Sequence, residues 1–201
     1  MRILISVILL ISLLTSNLFS QTKSFKAEKI SGDKNKIDGI ADDDVWKTIF
    51  PATGFTQWHP NPGIEAKNRT EVRLAYDDAA IYVFAIMYIN EDIEISQQLT
   101  ERDDEGLADY FVFVFDPFGD NALSYNFGVT AAGVQFDYKR NENNLDYNWN
   151  EVWKSKVQVN DSSWTAEMEI PYSAIRFPKE NKSDRKVNFI RYINDDRRRL
   201  S

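Results

Sequence analysis

The sequence of 201 residues has no cysteine and a single histidine, His59. Without cysteine there can be no disulfide framework, thiolate metal site, cysteine nucleophile or lipid anchor on an N-terminal cysteine. With one histidine there can be no zinc centre built on several imidazoles, and no triad that omits His59. His59 itself stands in a loop beside Pro60 and reads as plain surface. Basic charge is scarce as well. The 24 Lys+Arg face 31 Asp+Glu and leave a net charge of -7. Nucleic acid and anionic membrane surfaces both select for a basic footprint, so neither is expected as a partner. Gly-rich phosphate loops, a G-x-S-x-G elbow, an H-E-x-x-H helix and an EF-hand loop are all missing. Carboxylates are plentiful, yet no pair stands out as the acid and partner that glycoside hydrolysis needs. The chain is therefore not expected to be an enzyme by itself.

Long apolar runs are also rare. The one example is residues 3–14, preceded by Arg2 and followed by a polar stretch that ends in Ser20. It is shorter than the roughly 20 residues that span a bilayer. Residues 1–20 thus read as a secretory signal peptide rather than a retained anchor. An exported protein of the cell envelope or its surroundings is the expectation.

What remains is 43% hydrophobic and 13% aromatic, a globular composition. Residues 21–36 are polar and lysine-rich and read as a linker. Gly39 suits a tight turn, and Asp42 is placed to cap a short helix carrying Val45 and Trp46. From Thr70 onward, alternation of period two dominates. Thr70, Val72, Leu74 and Tyr76 share one face. Residues 81–89 are apolar on both faces, as a central strand requires. Residues 110–115 form a second apolar run, closed by Asp116-Pro117. Tyr125, Phe127 and Val129, then Val134, Phe136 and Tyr138, alternate about Ala131-Ala132-Gly133 as a hairpin. Residues 141–150 read as a loop. Trp153 to Val159, Trp164 to Ile170 and residues 187–193 complete the strands, with a helical turn after Pro171. Turns every eight to twelve residues and no long amphipathic helix predict an all-β fold, a two-sheet antiparallel β-sandwich over residues 37–195. The charged residues 196–201 read as the start of a further segment.

Four stretches in this order carry a resemblance. They are Ile37-Asp38-Gly39 through Trp46; Thr70 to Asp78 through Val83; Asp109 to Asp116 with Tyr125 to Asp137; and Trp164 to Tyr172 with Asn188 to Ile193. Together they resemble the family 9 carbohydrate-binding-module-like domains. The version resembled stands at the N-terminus of large exported Bacteroidetes-type proteins, ahead of an outer-membrane β-barrel. The resemblance implies two packed antiparallel sheets, a glycan or polysaccharide ligand and, in some members, calcium. It implies a clamp for sugar as well. In sugar-binding members a tryptophan stands three residues before the equivalent of Asp109, and a glutamate three residues after it. This chain has Gly106 and Val112 there.

Sugar sites need flat aromatic faces for the apolar side of the ring and planar polar groups for the hydroxyls. The aromatic candidates are Trp58, in the Pro/Gly-punctuated loop 57–63, Trp149 in its polar loop, Trp153 and Tyr125. Trp46 and Trp164 lie on apolar faces and read as core. For a structural calcium, Asp109 and Asp116 are the candidate ligands because they flank one strand. Three readings follow. The first is an exported, non-catalytic carbohydrate-binding module attached to a larger protein of glycan binding and breakdown. The second is a structural or gating domain of a membrane β-barrel that binds no sugar. The third is a fragment of a glycoside hydrolase, a class such modules often accompany.

Overall fold

In a computed structural model, residues 23–30, 36–90, 94–142, 144–177 and 185–194 are described. The signal-peptide reading of residues 1–20, the residues 196–201 and parts of the 21–36 linker lie outside them. The alternating segments form ten strands. They are β1 (Glu28–Lys29), β2 (Thr70–Tyr76), β3 (Ala80–Tyr88), β4 (Tyr110–Asp116), β5 (Leu123–Thr130), β6 (Gln135–Asn141), β7 (Asn144–Asp146), β8 (Lys154–Val159), β9 (Ser163–Pro171) and β10 (Lys186–Tyr192). One five-residue helix, α1 (Asp44–Thr48), precedes β2. No described helix is long and apolar enough to cross a membrane, which says nothing of β-barrels.

Two five-stranded sheets face each other, in the orders β1-β2-β3-β9-β8 and β10-β4-β5-β6-β7. All neighbours are antiparallel except β1 and β2. The parallel pairing of β1 falls inside the segment read as linker, so the sandwich begins before residue 37. Likewise β7 lies within the segment read as a loop and pairs with the end of β6.

Between the sheets, Val83, Ala85, Met87, Met168 and Trp164 of the first meet Phe111, Phe113, Phe115, Phe127 and Val129 of the second. The first sheet has a second core on its outer face. There Trp46 and Ile49 cover Ala75, Ala80, Tyr82 and Phe84, and the Trp46 and Phe84 rings lie 5.5 Å apart. This is why β3 is apolar on both faces. The cover is pinned by Glu167, fully buried on β9. Its carboxylate accepts from the Asp38 and Gly39 amides at 3.0 and 2.9 Å and from the Trp46 indole N–H at 2.9 Å. Gly39 takes φ +81°, as its turn requires. Burial pushes the Glu167 carboxyl above the usual carboxylate range, against the pull of those three donors.

Replacing Glu167 by Gln turns an amide NH2 toward a group that itself donates. The variant is expected to lose about 1–3 kcal/mol in urea unfolding. An unchanged midpoint would mean the three hydrogen bonds do not hold the cover.

Candidate functional site

Among the described residues, no helix covers the second sheet in the same way. The helix sits on the first sheet, and the 3-10 turn Tyr172–Ala174 joins the inter-sheet core. No regular element of the described residues is left to lie over the outer face of β10-β4-β5-β6-β7. Yet that face is apolar and aromatic. Tyr110, Val112 and Val114 alternate outward from Phe111, Phe113 and Phe115 on β4. Register places Tyr110 opposite Tyr192, Val112 opposite Ile190 and Gly128, Gly128 opposite Phe136, and Asn126 opposite Tyr138. The rings make contact in two groups on this face. Tyr192 stacks on Tyr110 at 4.8 Å, Tyr110 meets Phe136 edge-on at 5.4 Å, and Tyr138 meets Tyr147 at 5.2 Å.

Gly128 makes this arrangement possible. A Cβ on Gly128 would stand 2.1 Å from Cζ of the Phe136 ring. The ring therefore lies directly on the β5 backbone, in space only glycine leaves free.

Polar groups border the floor. Glu105 acts on both Tyr110 and Tyr138, and Arg140 acts on Tyr138. Burial, with the Glu105 charge second, pushes the Tyr110 phenol up to about 12. None of the four tyrosine hydroxyls bonds to another described residue. Asn126, 2% exposed, donates to Ser124 and to the Tyr138 carbonyl while its Oδ1 accepts from no described residue. Stackable rings with free hydroxyl and amide oxygens at their edges can hold a ligand that is apolar on its faces and hydroxylated at its rim.

The residues singled out from sequence fall elsewhere. Trp149, Trp153 and Tyr125 do come together, but around Phe127 on the inner side of the sheet. Tyr125 and Trp153 are 2% and 5% exposed and show no ring face to solvent. The Trp153 indole donates to Asp137 at 3.2 Å, so its polar edge is used internally. Trp149 is half-buried, packs on the core and carries Lys139 over its ring at 5.6 Å. Trp58 alone is free, 81% exposed at the tip of a hairpin closed by the Thr56–Glu65 bridge.

Asp109 and Asp116 stand at opposite ends of β4, roughly 20 Å apart at ~3.3 Å of rise per residue. Asp116 accepts from the amides of Phe118, Gly119 and Asn121, which builds the turn into β5. Asp109 accepts from the Asn194 amide at 2.8 Å. Calcium takes six to eight oxygens around one point, and this pair does not fit it. Among the described residues no three acidic or histidine side chains converge as a metal site.

With this geometry in view, residues 37–200 match the model of the family described as carbohydrate family 9 binding domain-like. The chain belongs to this family. The family consists of binding domains rather than catalysts, so the domain itself is not an enzyme. Among solved structures, the chain is similar to a family 9 carbohydrate-binding module of Caldicellulosiruptor kristjanssonii in complex with cellotriose. Identity is 17%, coverage is 86% of this chain and 79% of that one, and the TM-score is 0.57. It is similar also to a proposed carbohydrate-binding protein of Bacteroides uniformis, at 18% identity, 84% and 83% coverage and TM-score 0.59. These likenesses establish the two-sheet fold. No curated protein matches the chain significantly.

In the family domain, Val112 proves to lie in the middle of the aromatic face, opposite Gly128. Gly106 has φ +54°, and a Cβ there would come within 2.7 Å of Gln98 and Thr100. A tryptophan does not fit that turn without displacing both. Gly106 and Val112 are thus a tight turn and a small apolar side chain, with Tyr110 and Ile190 beside Val112 on the same face.

Gly128→Ala is expected to lift Phe136 off the sheet and cost about 1–3 kcal/mol, read by thermal or urea unfolding. Unchanged stability would show that the ring does not need the vacant Cβ position. A second expectation concerns the phenol of Tyr110. Its pKa is raised in the fold, so the stability it contributes is complete below about pH 10 and is lost as pH climbs through about 12. Ultraviolet phenolate titration of wild type against Tyr110→Phe checks this. A Tyr110 that ionises like an exposed phenol would contradict it.

Proposed function

We propose that the domain is an exported, non-catalytic glycan-binding module. In this reading it works within a larger protein of polysaccharide binding and breakdown, and its site is the outer face of the second sheet. The carrying observation is the tyrosine cluster on that face, with Tyr147 and Tyr192 55% and 37% exposed at its edges and Tyr110 and Tyr138 partly buried beside the buried Phe136. A globular protein leaves an aromatic sheet face open where something docks. Phenolic hydroxyls that bond to no other described residue suit a sugar better than a wholly apolar partner. Family membership supports the same ligand class, as do the cellotriose and glucose held by the related modules. Export rests on the signal-like residues 1–20. Trp58 is proposed as a separate, peripheral contact on the strength of its exposure.

A glycan array followed by titration calorimetry tests the assignment on residues 21–201. Tyr110→Ala and Tyr138→Ala are each expected to weaken the best ligand by about tenfold or more. Trp58→Ala is expected to weaken it by about threefold at most. Loss of binding in the Trp58 variant alone would move the site to the hairpin tip. A folded wild type that binds no glycan would overturn the assignment.

A further inference from the structure

We infer that the free edge of β8 is a docking site for an extended polypeptide segment with carboxylates on alternate residues, which joins the first sheet as a further strand. The inference is independent of the glycan reading, because β8 is an edge strand of the other sheet. Its basis is the phase of the hydrogen bonds around β9. The Asn160 amide donates to the Ser163 carbonyl at 2.9 Å, and on the other side of β9 the Ile89 amide donates to the Ser162 carbonyl at 2.9 Å. Bonded and non-bonded pairs alternate along an antiparallel ladder. Gln158, Lys156 and Lys154 therefore bond to Thr165, Glu167 and Glu169, while the amides and carbonyls of Ser155, Val157 and Val159 point away from the sheet. None of these outward groups meets a partner among the described residues. The other edges differ. β1 and β7 are two and three residues long. On β10 the mid-strand Phe189 amide is closed by its neighbour, Asn188 Oδ1, at 2.9 Å. A row of unpaired backbone groups is the template on which an extended peptide adds.

The edge also has room and charge for a partner. A cleft of about 520 Å³ lies against residues 153–156, bordered by Ile37, Arg102 and residues 133–135 of the facing hairpin. No described carboxylate lines it. Lys154 and Lys156 stand on one face of β8. Ser155, Val157 and Val159 stand on the other, where both valines pack on the core. Lys154 is held by Glu169 at 3.0 Å. Lys156 is exposed and has no ion-pair partner among the described residues, because Glu167 opposite it accepts from Asp38, Gly39 and Trp46 instead. An added strand places its side chains about 5 Å from those directly opposite on β8. A carboxylate there meets Lys156, and a small apolar residue next to it meets Val157. The same lysines oppose a second copy of β8, since like strands would set one basic face against another.

The experiment titrates the intact chain with a synthetic peptide, Thr-Glu-Val-Glu-Val-Thr with blocked termini, and follows the 15N amides by NMR. Shifts and slowed hydrogen exchange are expected at Ser155, Val157 and Val159. Two control peptides should each bind about tenfold more weakly or not at all: one with lysine in place of both glutamates, and one N-methylated at every glutamate and valine. Lys156→Glu should reverse the preference between the acidic and basic peptides. Ser155→Pro removes an outward N–H and no ladder bond, so that variant should fold and lose the acidic peptide. The N-methylated peptide asks the same question of the wild type, so the answer does not hang on how the proline variant folds. No binding to the folded wild type, or equal binding of all three peptides, would overturn the inference. So would exchange protection of these amides that rises with protein concentration alone, which would assign the edge to a second copy of the chain.

Discussion

The structure turns on β4, a strand that is apolar on both sides in a sheet whose outer face no described helix covers. Phe111, Phe113 and Phe115 point inward and build the contact between the sheets. Tyr110, Val112 and Val114 point outward, where no regular element of the described residues lies over them and neighbouring side chains of the same sheet bury Val112 to 2% exposure. The first sheet meets the same problem at β3 and solves it by laying Trp46 and Ile49 over its outer face. The second sheet solves it partly with its own side chains. Phe136 lies on Gly128, and Tyr110 packs between Phe136 and Tyr192. This leaves a surface that is packed along its middle and exposed at both edges.

Buried polar groups hold this asymmetry in place without doing chemistry. Glu167 fixes the cover of the first sheet. Arg191 projects from β10 and donates to the carbonyls of Arg69 and Tyr88 and to Thr70, which ties the edge of the second sheet to the first. Its burial lowers the guanidinium pKa to about 10. Asp137 gathers Arg102, the Glu151 amide and the Trp153 indole at the other side. Each of these groups has its hydrogen bonds turned inward, as buried polar groups must. None is aimed at the open face, where Glu105, Arg140 and the phenol hydroxyls remain.

Most of the fold was legible because alternation is strong over seven to nine residues. β3, β4, β5, β6 and β9 fall close to where the pattern puts them. β1 and β7, at two and three residues, are too short to show a period, and pairing rather than composition defines them. The proposed site was harder to see. Loops rich in proline and asparagine draw attention to Trp58 and Trp149, whereas Tyr110, Phe136 and Tyr138 look like core because they alternate on strands. Which parity faces the opposite sheet is a tertiary fact. Two signals pointed to it. One is the phenylalanines at 111, 113 and 115 set against a tyrosine at 110, since a phenol hydroxyl prefers the side that can reach water. The other is Gly128, a lone glycine inside a strand, which marks a close approach by something else. The family's clamp positions were also readable as Gly106 and Val112, but their meaning required knowing that Val112 lies among these rings.

The most direct test is to map the ligand on the folded domain by NMR, following 15N amides and the Trp58 indole during titration with cellohexaose and xylohexaose. The account predicts shifts concentrated at Tyr110, Val112, Gly128, Phe136, Tyr138 and Tyr192, with the Trp58 indole little changed. Shifts confined to the 56–65 hairpin, or spread with no cluster on the outer face of the second sheet, would contradict it.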